Sequence, residues 1–178
     1  MTVGDPHEWN GSEHPDVDLP SWHGSVFDPV AELDPIERLR IITGGIPGAR
    51  VVEGVVDVPF DEAWAVMGDL EDGFGVFQPD MRHVTVVDRD GEHVVADARS
   101  RYGMRARLRG VLRPGWCWLQ SRFVIIGMAA TPSPDGATTR VALTGGVRVP
   151  GRAAIVPLGT RRALQRSLTK LDRVLTRG

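Results

Sequence analysis

Between His83 and Val149 turn signals cut the chain into strand-length stretches, and this punctuation constrains the fold more than any other feature. His83 to Arg89 alternates apolar and polar residues and ends at Asp90-Gly91, a strong two-residue hairpin signal. Val94 to Arg101 is the return strand. Met104 to Leu112 follows and stops at Pro114-Gly115. Trp116 to Thr131 is strand-like throughout and ends at Pro132-Ser133-Pro134-Asp135-Gly136. Thr138 to Val149 is the last strand. Strands joined by such short connections pair antiparallel, so the segment reads as a meander. No turn residue marks 121–125, which leaves either a hairpin there or one long bent strand. Gly145-Gly146 predicts a bulge or a close backbone approach.

The flanks of the meander are helical. Asp34-Pro35-Ile36-Glu37 is a helix start: Asp34 caps, Pro35 suits the first turn, and Glu37 holds the acid position of a capping box. Ile36, Leu39 and Ile42 form its apolar stripe, and Gly44-Gly45 ends it. Arg50 to Val58 is rich in valine and reads as a strand stopped by Pro59. Phe60, Ala63, Trp64, Met67 and Leu70 recur at helical spacing, and 69–75 breaks that helix. Phe74 to Asp80 reads as a further short helical turn. At the end, Leu164, Leu168, Leu171 and Leu175 share one helix face, with Arg161, Arg162, Arg166, Lys170 and Arg173 mostly on the other. Pro157 and Gly159 leave two starts for this helix, near Ala153 with a kink or after Gly159. An apolar-faced helix laid on one curved sheet makes a two-layer α+β domain.

The chain has 178 residues, enough for one domain. Its longest apolar run, Phe123 to Ala130, is far short of the roughly 20 residues a membrane span needs. The N-terminus lacks a basic segment followed by an apolar one, so no secretory signal is read there. Cys117 is the sole cysteine, which excludes an internal disulfide and fits a reducing, cytoplasmic location. Charge is unevenly spread. Residues 1–45 hold nine acids and two arginines, whereas the remainder holds 14 acids and 19 bases. An acidic arm (1–45, with a short helix near 35–43) thus precedes a basic body (46–178). Trp9, Trp22 and Phe27 in the otherwise irregular stretch 1–28 suggest that part of the arm docks on the body.

Three motifs add a family likeness. Val58-Pro59-Phe60-Asp61-Glu62-Ala63-Trp64 is a strand-to-helix step with an apolar-Pro start and a Trp one turn in, and Gly68-Asp69-Leu70-Glu71 closes that helix. Gly136-Ala137-Thr138-Thr139-Arg140-Val141 enters the last strand. With the amphipathic terminal helix, these resemble the START/SRPBCC superfamily, which includes polyketide cyclases/dehydrases and lipid-transfer domains. The likeness spans roughly residues 49–178. It implies a helix-grip fold, an antiparallel sheet of six to seven strands wrapped around a long C-terminal helix. It also implies an apolar cavity between the two, which in the superfamily holds lipids, polyketides or isoprenoids. It transfers no catalytic residue, because these differ among members.

Strand alternation selects the residues facing that cavity. Met104, Ala106, Leu108, Gly110 and Leu112 form one face of their strand, and Arg105, Arg107 and Arg109 belong to the other. The apolar face points inward, and by the same rule so do Val94, Ala96, Ala98, Ser100 and Tyr102. The small residues among them leave volume for a ligand. Candidate ligand contacts are Trp64, Phe74, Phe77, Met81, Ala98, Ser100, Tyr102, Met104, Met128, Leu164 and Leu168. Phe74, Phe77 and Met81 fall in the connection nearest the cavity mouth. The opposing reading is that large side chains of the terminal helix fill the space.

For catalysis the weak candidates are Tyr102 and Arg122, with Asp69 and His83 behind them; Arg122 carries information only if it points inward. Three readings stand. The first is a container for a small hydrophobic molecule, the second a cyclase/dehydratase using the same cavity. The third is a packed domain whose arm and arginine face support self-association as a homodimer. No cofactor is implied. His7, His14 and His23 match no compact metal-ligand spacing, so no metal is expected. The glycines fit no phosphate-binding fingerprint. The arginine stripe Arg99, Arg101, Arg105, Arg107, Arg109 lacks the neighbouring aromatics of a single-strand binder, so no nucleic-acid partner is expected.

Overall fold

The computed structural model describes residues 33–78, 80–148, 155–157 and 161–176. The docking of Trp9, Trp22 and Phe27 and the histidines of the arm lie outside these residues. Leu33 to Gly178 forms one compact unit. In chain order it contains α1 (Pro35–Gly44), β1 (Val51–Val56), α2 (Phe60–Met67), α3 (Phe74–Phe77), β2 (Met81–Asp90), β3 (His93–Ser100), β4 (Arg105–Arg113), β5 (Trp116–Gln120), β6 (Val124–Pro132), β7 (Thr139–Arg148), β8 (Ile155–Pro157) and α4 (Arg161–Leu175).

The strands form one curved antiparallel sheet in the order β1-β7-β6-β5-β4-β3-β2, with β8 added on β7. Five consecutive hairpins run from β2 to β7, as the turn signals predict. Asp90-Gly91 makes the first, with Gly91 in the left-handed region at φ 56°. The segment 121–125 resolves as a hairpin, not a long bent strand. Ser121 makes the turn: its hydroxyl accepts the amides of Phe123 (3.1 Å) and Val124 (2.9 Å), and its amide donates to the Val124 carbonyl (2.8 Å). No bulge forms at Gly145-Gly146. β7 pairs with β6 in unbroken register through both, and a Cβ on Gly145 would meet Ile125 O at an ordinary 3.6 Å. Of the two starts for the terminal helix, the later one holds. Ile155–Pro157 is instead a short strand on β7.

Each face of the sheet carries a different helix set, the outer one only over β1 and β5 to β7. On the inner face lie α2, α3 and α4, around a core that includes Phe74, Phe77, Leu108, Leu119, Met128, Leu143, Leu164 and Leu171. On the outer face lies α1, whose Ile36 and Leu39 pack on Trp116, Ala129 and Ala142. Two glycines seat these helices. A Cβ on Gly54 of β1 would fall 2.5 Å from Leu168 Cδ2 of α4. One on Gly127 of β6 would fall 2.9 Å from Leu39 Cδ1 of α1. In each case the missing side chain is the socket for a leucine.

Polar contacts then fix α1. Asp34 Oδ1 accepts the amides of Ile36 (2.8 Å) and Glu37 (3.3 Å), capping the helix as the sequence predicts. Glu37 does not complete a capping box; it takes Arg40 Nη1 at 3.1 Å. Arg40 also donates through Nε and Nη2 to the two carboxylate oxygens of Glu53 on β1, both at 2.6 Å. That bidentate pair holds the Glu53 carboxyl below the usual carboxylate range. Arg38 lies over the Trp116 ring, 4.7 Å from its centroid.

Candidate functional site

The inner face follows the alternation read from the sequence. Val94, Ala96, Ala98 and Ser100 of β3 and Leu108 and Leu112 of β4 are buried, while Arg105, Arg107 and Arg109 are exposed on the opposite face. Ala106 and Gly110 complete the small-residue strip of the inner face. Arg107 is tied across the strands to Asp97, with Nε to Oδ1 at 2.8 Å and Nη2 to Oδ2 at 2.9 Å.

A cleft opens where the inner face meets the first turns of α4. Phe74 and Gln78 come from α3 and its end, Asp80 and Met81 from the entry to β2, Ile126 from β6, Thr144 and Gly145 from β7, and Leu164 from α4. Its free volume is about 20 Å³, room for a water molecule. Phe74 is buried against Phe77, edge to face at 5.5 Å and 82°. Gln78 bridges to α4, its Oε1 accepting from the buried Ser167 hydroxyl at 3.2 Å. Thr144 sits across from Gly127, on the outer face, and its hydroxyl donates to Arg50 O at 2.7 Å. Thr144 therefore offers the cleft backbone only, and Gly145 leaves the wall open there.

The cleft gathers three of the expected ligand contacts: Phe74, Met81 and Leu164. Phe77, Ala98, Ser100 and Met128 are buried on the inner side, Leu168 is half-buried in its Gly54 socket, and Trp64 is half-buried and stacked on Phe60 at 6.4 Å. Tyr102 and Met104 are elsewhere. They are 72% and 50% exposed in the β3–β4 turn, so the expectation that both face inward fails. The cause is local. β3 ends at Ser100, whose hydroxyl accepts the amides of Tyr102 (3.2 Å) and Met104 (3.1 Å), and Gly103 at φ 83° lifts the intervening chain off the strand line. Those two amides fill the acceptor side of the Ser100 hydroxyl.

The remaining catalytic candidates also point away from the inner face. Arg122 is exposed in the β5–β6 turn with its guanidinium 5.4 Å from the Phe123 ring. Asp69 is exposed and accepts the amides of Glu71 and Asp72, both at 3.1 Å. His83 is exposed beside Thr85, 2.8 Å from its hydroxyl. Among the described residues no carboxylate, histidine or arginine is buried; the buried polar side chains are threonines and serines. Of the cleft lining, only Asp80 carries a charge. Sequence reasoning passed over Gln78 and Asp80, although they flank Pro79 in the connection already assigned to the mouth.

Cys117 is buried on the inner face opposite Met128, and loss of solvation pushes its thiol up to about 12. Native protein is expected to resist a thiol reagent at neutral pH and to react only on unfolding; labelling within minutes in native buffer refutes this placement. The folded state keeps a proton that the unfolded thiol releases near pH 9, so stability declines as pH rises from about 9 toward 12. Its slope is about 1.4 kcal/mol per pH unit at most. Cys117→Ala removes that component, which a urea titration at pH 8 and pH 10.5 measures.

No family model and no curated protein matches the sequence. Solved structures do match. An 18 kDa protein, CC1736, from Caulobacter crescentus superposes with a TM-score of 0.54 at 17% identity, covering 72% of this chain and 96% of that one. The KanY protein gives 0.53 at 12% identity, covering 73% and 98%. TTHA0849 from Thermus thermophilus gives 0.51 at 15% identity, covering 72% and 97%. At these identities the likeness is one of fold. The fold they share with this chain is a helix-grip fold, a curved antiparallel sheet packed against a C-terminal helix.

Proposed function

We propose that the protein is a container for a small hydrophobic molecule, held between the inner face of the sheet and α4 and entering at the α3–β2 cleft. The observation that carries this reading is the character of the cleft and its surroundings. Its side-chain walls are mostly apolar, it opens between α3, the start of β2, β6, β7 and α4, and buried acid/base groups are absent among the described residues. Apolar walls with a few convergent polar groups are the usual make-up of a ligand pocket. Burial of the ligand's apolar surface supplies affinity, and Gln78 and Asp80 supply orientation. A drug-sized ligand needs roughly 300 Å³ or more, so loading displaces side chains. Met81 and Leu164 are the movable walls, and the Gln78–Ser167 bond between α3 and α4 is the contact that must stretch. The cyclase/dehydratase reading loses ground because Arg122, Asp69 and His83 are exposed and outside the cleft lining, and Tyr102, 72% exposed, reaches only Asp80 there, its hydroxyl donating at 3.5 Å.

Native mass spectrometry of freshly purified protein tests the reading. The expected spectrum carries an extra mass of a few hundred daltons that disappears on denaturation. A clean apo mass, together with no rise in Tm from a panel of fatty acids and fused-ring aromatics, overturns it.

A further inference from the structure

Two neighbouring turns at the cleft end of the sheet expose large apolar side chains between arginines. The β3–β4 turn reads Arg101-Tyr102-Gly103-Met104-Arg105, and the β5–β6 turn reads Ser121-Arg122-Phe123. Tyr102 is 72% exposed, Met104 50% and Phe123 44%. Arg101, Arg105 and Arg122 are exposed beside them. The strand order puts both turns toward one end of the sheet, with the β5–β6 turn set back by four residues, since Gln120 pairs with Arg109 while β4 begins at Arg105. β2 also begins there, with Met81 in the cleft. Turns ordinarily carry small polar residues. Here each places at exposed positions a residue that water does not favour and flanks it with a permanent positive charge. Asp80, the acid close to these turns, is half-buried in the cleft, where it takes the Tyr102 hydroxyl at 3.5 Å.

We infer that this end of the molecule docks on an anionic phospholipid surface. The chemistry matches on both counts. Met104 and Phe123 are sized to enter the boundary between headgroups and acyl chains, and Tyr102 is an amphipathic ring suited to the headgroup level. Arginine keeps its guanidinium at the phosphates while its stem follows the apolar side chains inward. A polyanion such as RNA would use the arginines but give no reason to expose Met104 and Phe123. The inference rests on the container reading for its purpose, since a sparingly soluble ligand is collected from or returned to a bilayer beside the cleft. The surface itself stands on the exposed turns.

The test is flotation of the full chain with vesicles of phosphatidylcholine alone and of phosphatidylcholine with 30% phosphatidylglycerol. Binding to the anionic vesicles, weakened by 0.5 M salt and absent from the neutral ones, is expected. Each arginine is worth about fivefold in partition, so Arg101→Gln, Arg105→Gln and Arg122→Gln combined should cost about 100-fold. Met104→Asp with Phe123→Asp should abolish binding; both residues are exposed, and an unchanged circular dichroism spectrum shows that the fold survives. Binding that survives the double aspartate variant but not the triple glutamine variant marks a plain polyanion site and overturns the inference, as does equal binding to both vesicle types. Native mass spectrometry on the same samples separates the two readings. A ligand adduct without vesicle binding refutes docking alone, and vesicle binding without any adduct or ligand response refutes the container.

Discussion

Gly127→Val is expected to lower the unfolding midpoint by about 10 °C and to shift tryptophan emission to the red. The position is crowded on three sides: a Cβ there would lie 2.6 Å from Thr144 Cγ2 and 2.9 Å from both Leu39 Cδ1 and Trp118 Cε3. Thr144 cannot retreat, because its hydroxyl is committed to Arg50 O. Trp118 is fixed in β5 by pairing on both sides. Leu39 is therefore the group that gives way, and α1 moves with it. Overpacking of this kind costs about 3 kcal/mol, which for a chain of this length corresponds to the stated shift in Tm. Lifting α1 wets Trp116 and Trp118, hence the red shift. Leu39→Ala alone should cost about 3 kcal/mol, since Leu39 is fully buried. The double variant Gly127→Val/Leu39→Ala should cost at least 1 kcal/mol less than the two losses added, because valine enters the space leucine vacates. Strict additivity in urea unfolding would show that the leucine does not sit in the glycine socket.

The same socket explains what was legible in the sequence. From His93 to Arg113 one face of the sheet is packed and the other meets water, so apolar and arginine residues alternate and the facing of β3 and β4 follows directly. At β5 and β6 both faces are covered, by α1 outside and by the α2–α4 layer inside. Alternation vanishes when both faces are apolar, so Trp116 to Thr131 reads as strand-like throughout and leaves a hairpin or one long bent strand open. The hairpin inside it was marked by Ser121 alone, a hydroxyl that replaces the usual glycine or proline. The cap of α1 was readable because capping is local; its seat on the outer face was not, because Gly127 lies some 90 residues away. The cleft was half legible. Phe74, Met81 and Leu164 follow from pattern, whereas Ile126 and Gly145 join them only once the sheet curls, and Tyr102 and Met104 are lost to a turn one residue longer at each end than the pattern predicts.

Phe74→Ala is expected to cost about 4 kcal/mol and, in exchange, to make the cleft bind small aromatics strongly enough to recover much of that loss. Phe74 is 2% exposed and touches both the core, through the edge of Phe77, and the cleft. Removing its ring forfeits transfer and packing energy. It also joins a void on the order of 100 Å³ to the existing opening, the scale at which an apolar cavity admits a benzene-sized molecule. A ligand present at 100 times its Kd returns about 2.7 kcal/mol. Benzene should therefore raise the Tm of the variant and leave the parent unmoved. The control is Leu108→Ala, which opens a comparable void on the β4 inner face, away from the cleft lining. That closed void should accept benzene but reject naphthalene, whereas the Phe74→Ala void, continuous with the mouth, should accept both. If both variants show the same size limit, the opening at Phe74 does not lead inward and entry must lie elsewhere along α4. If Phe74→Ala costs under 1 kcal/mol, Met81 has collapsed into the space, and the mouth is more pliable than its 20 Å³ implies.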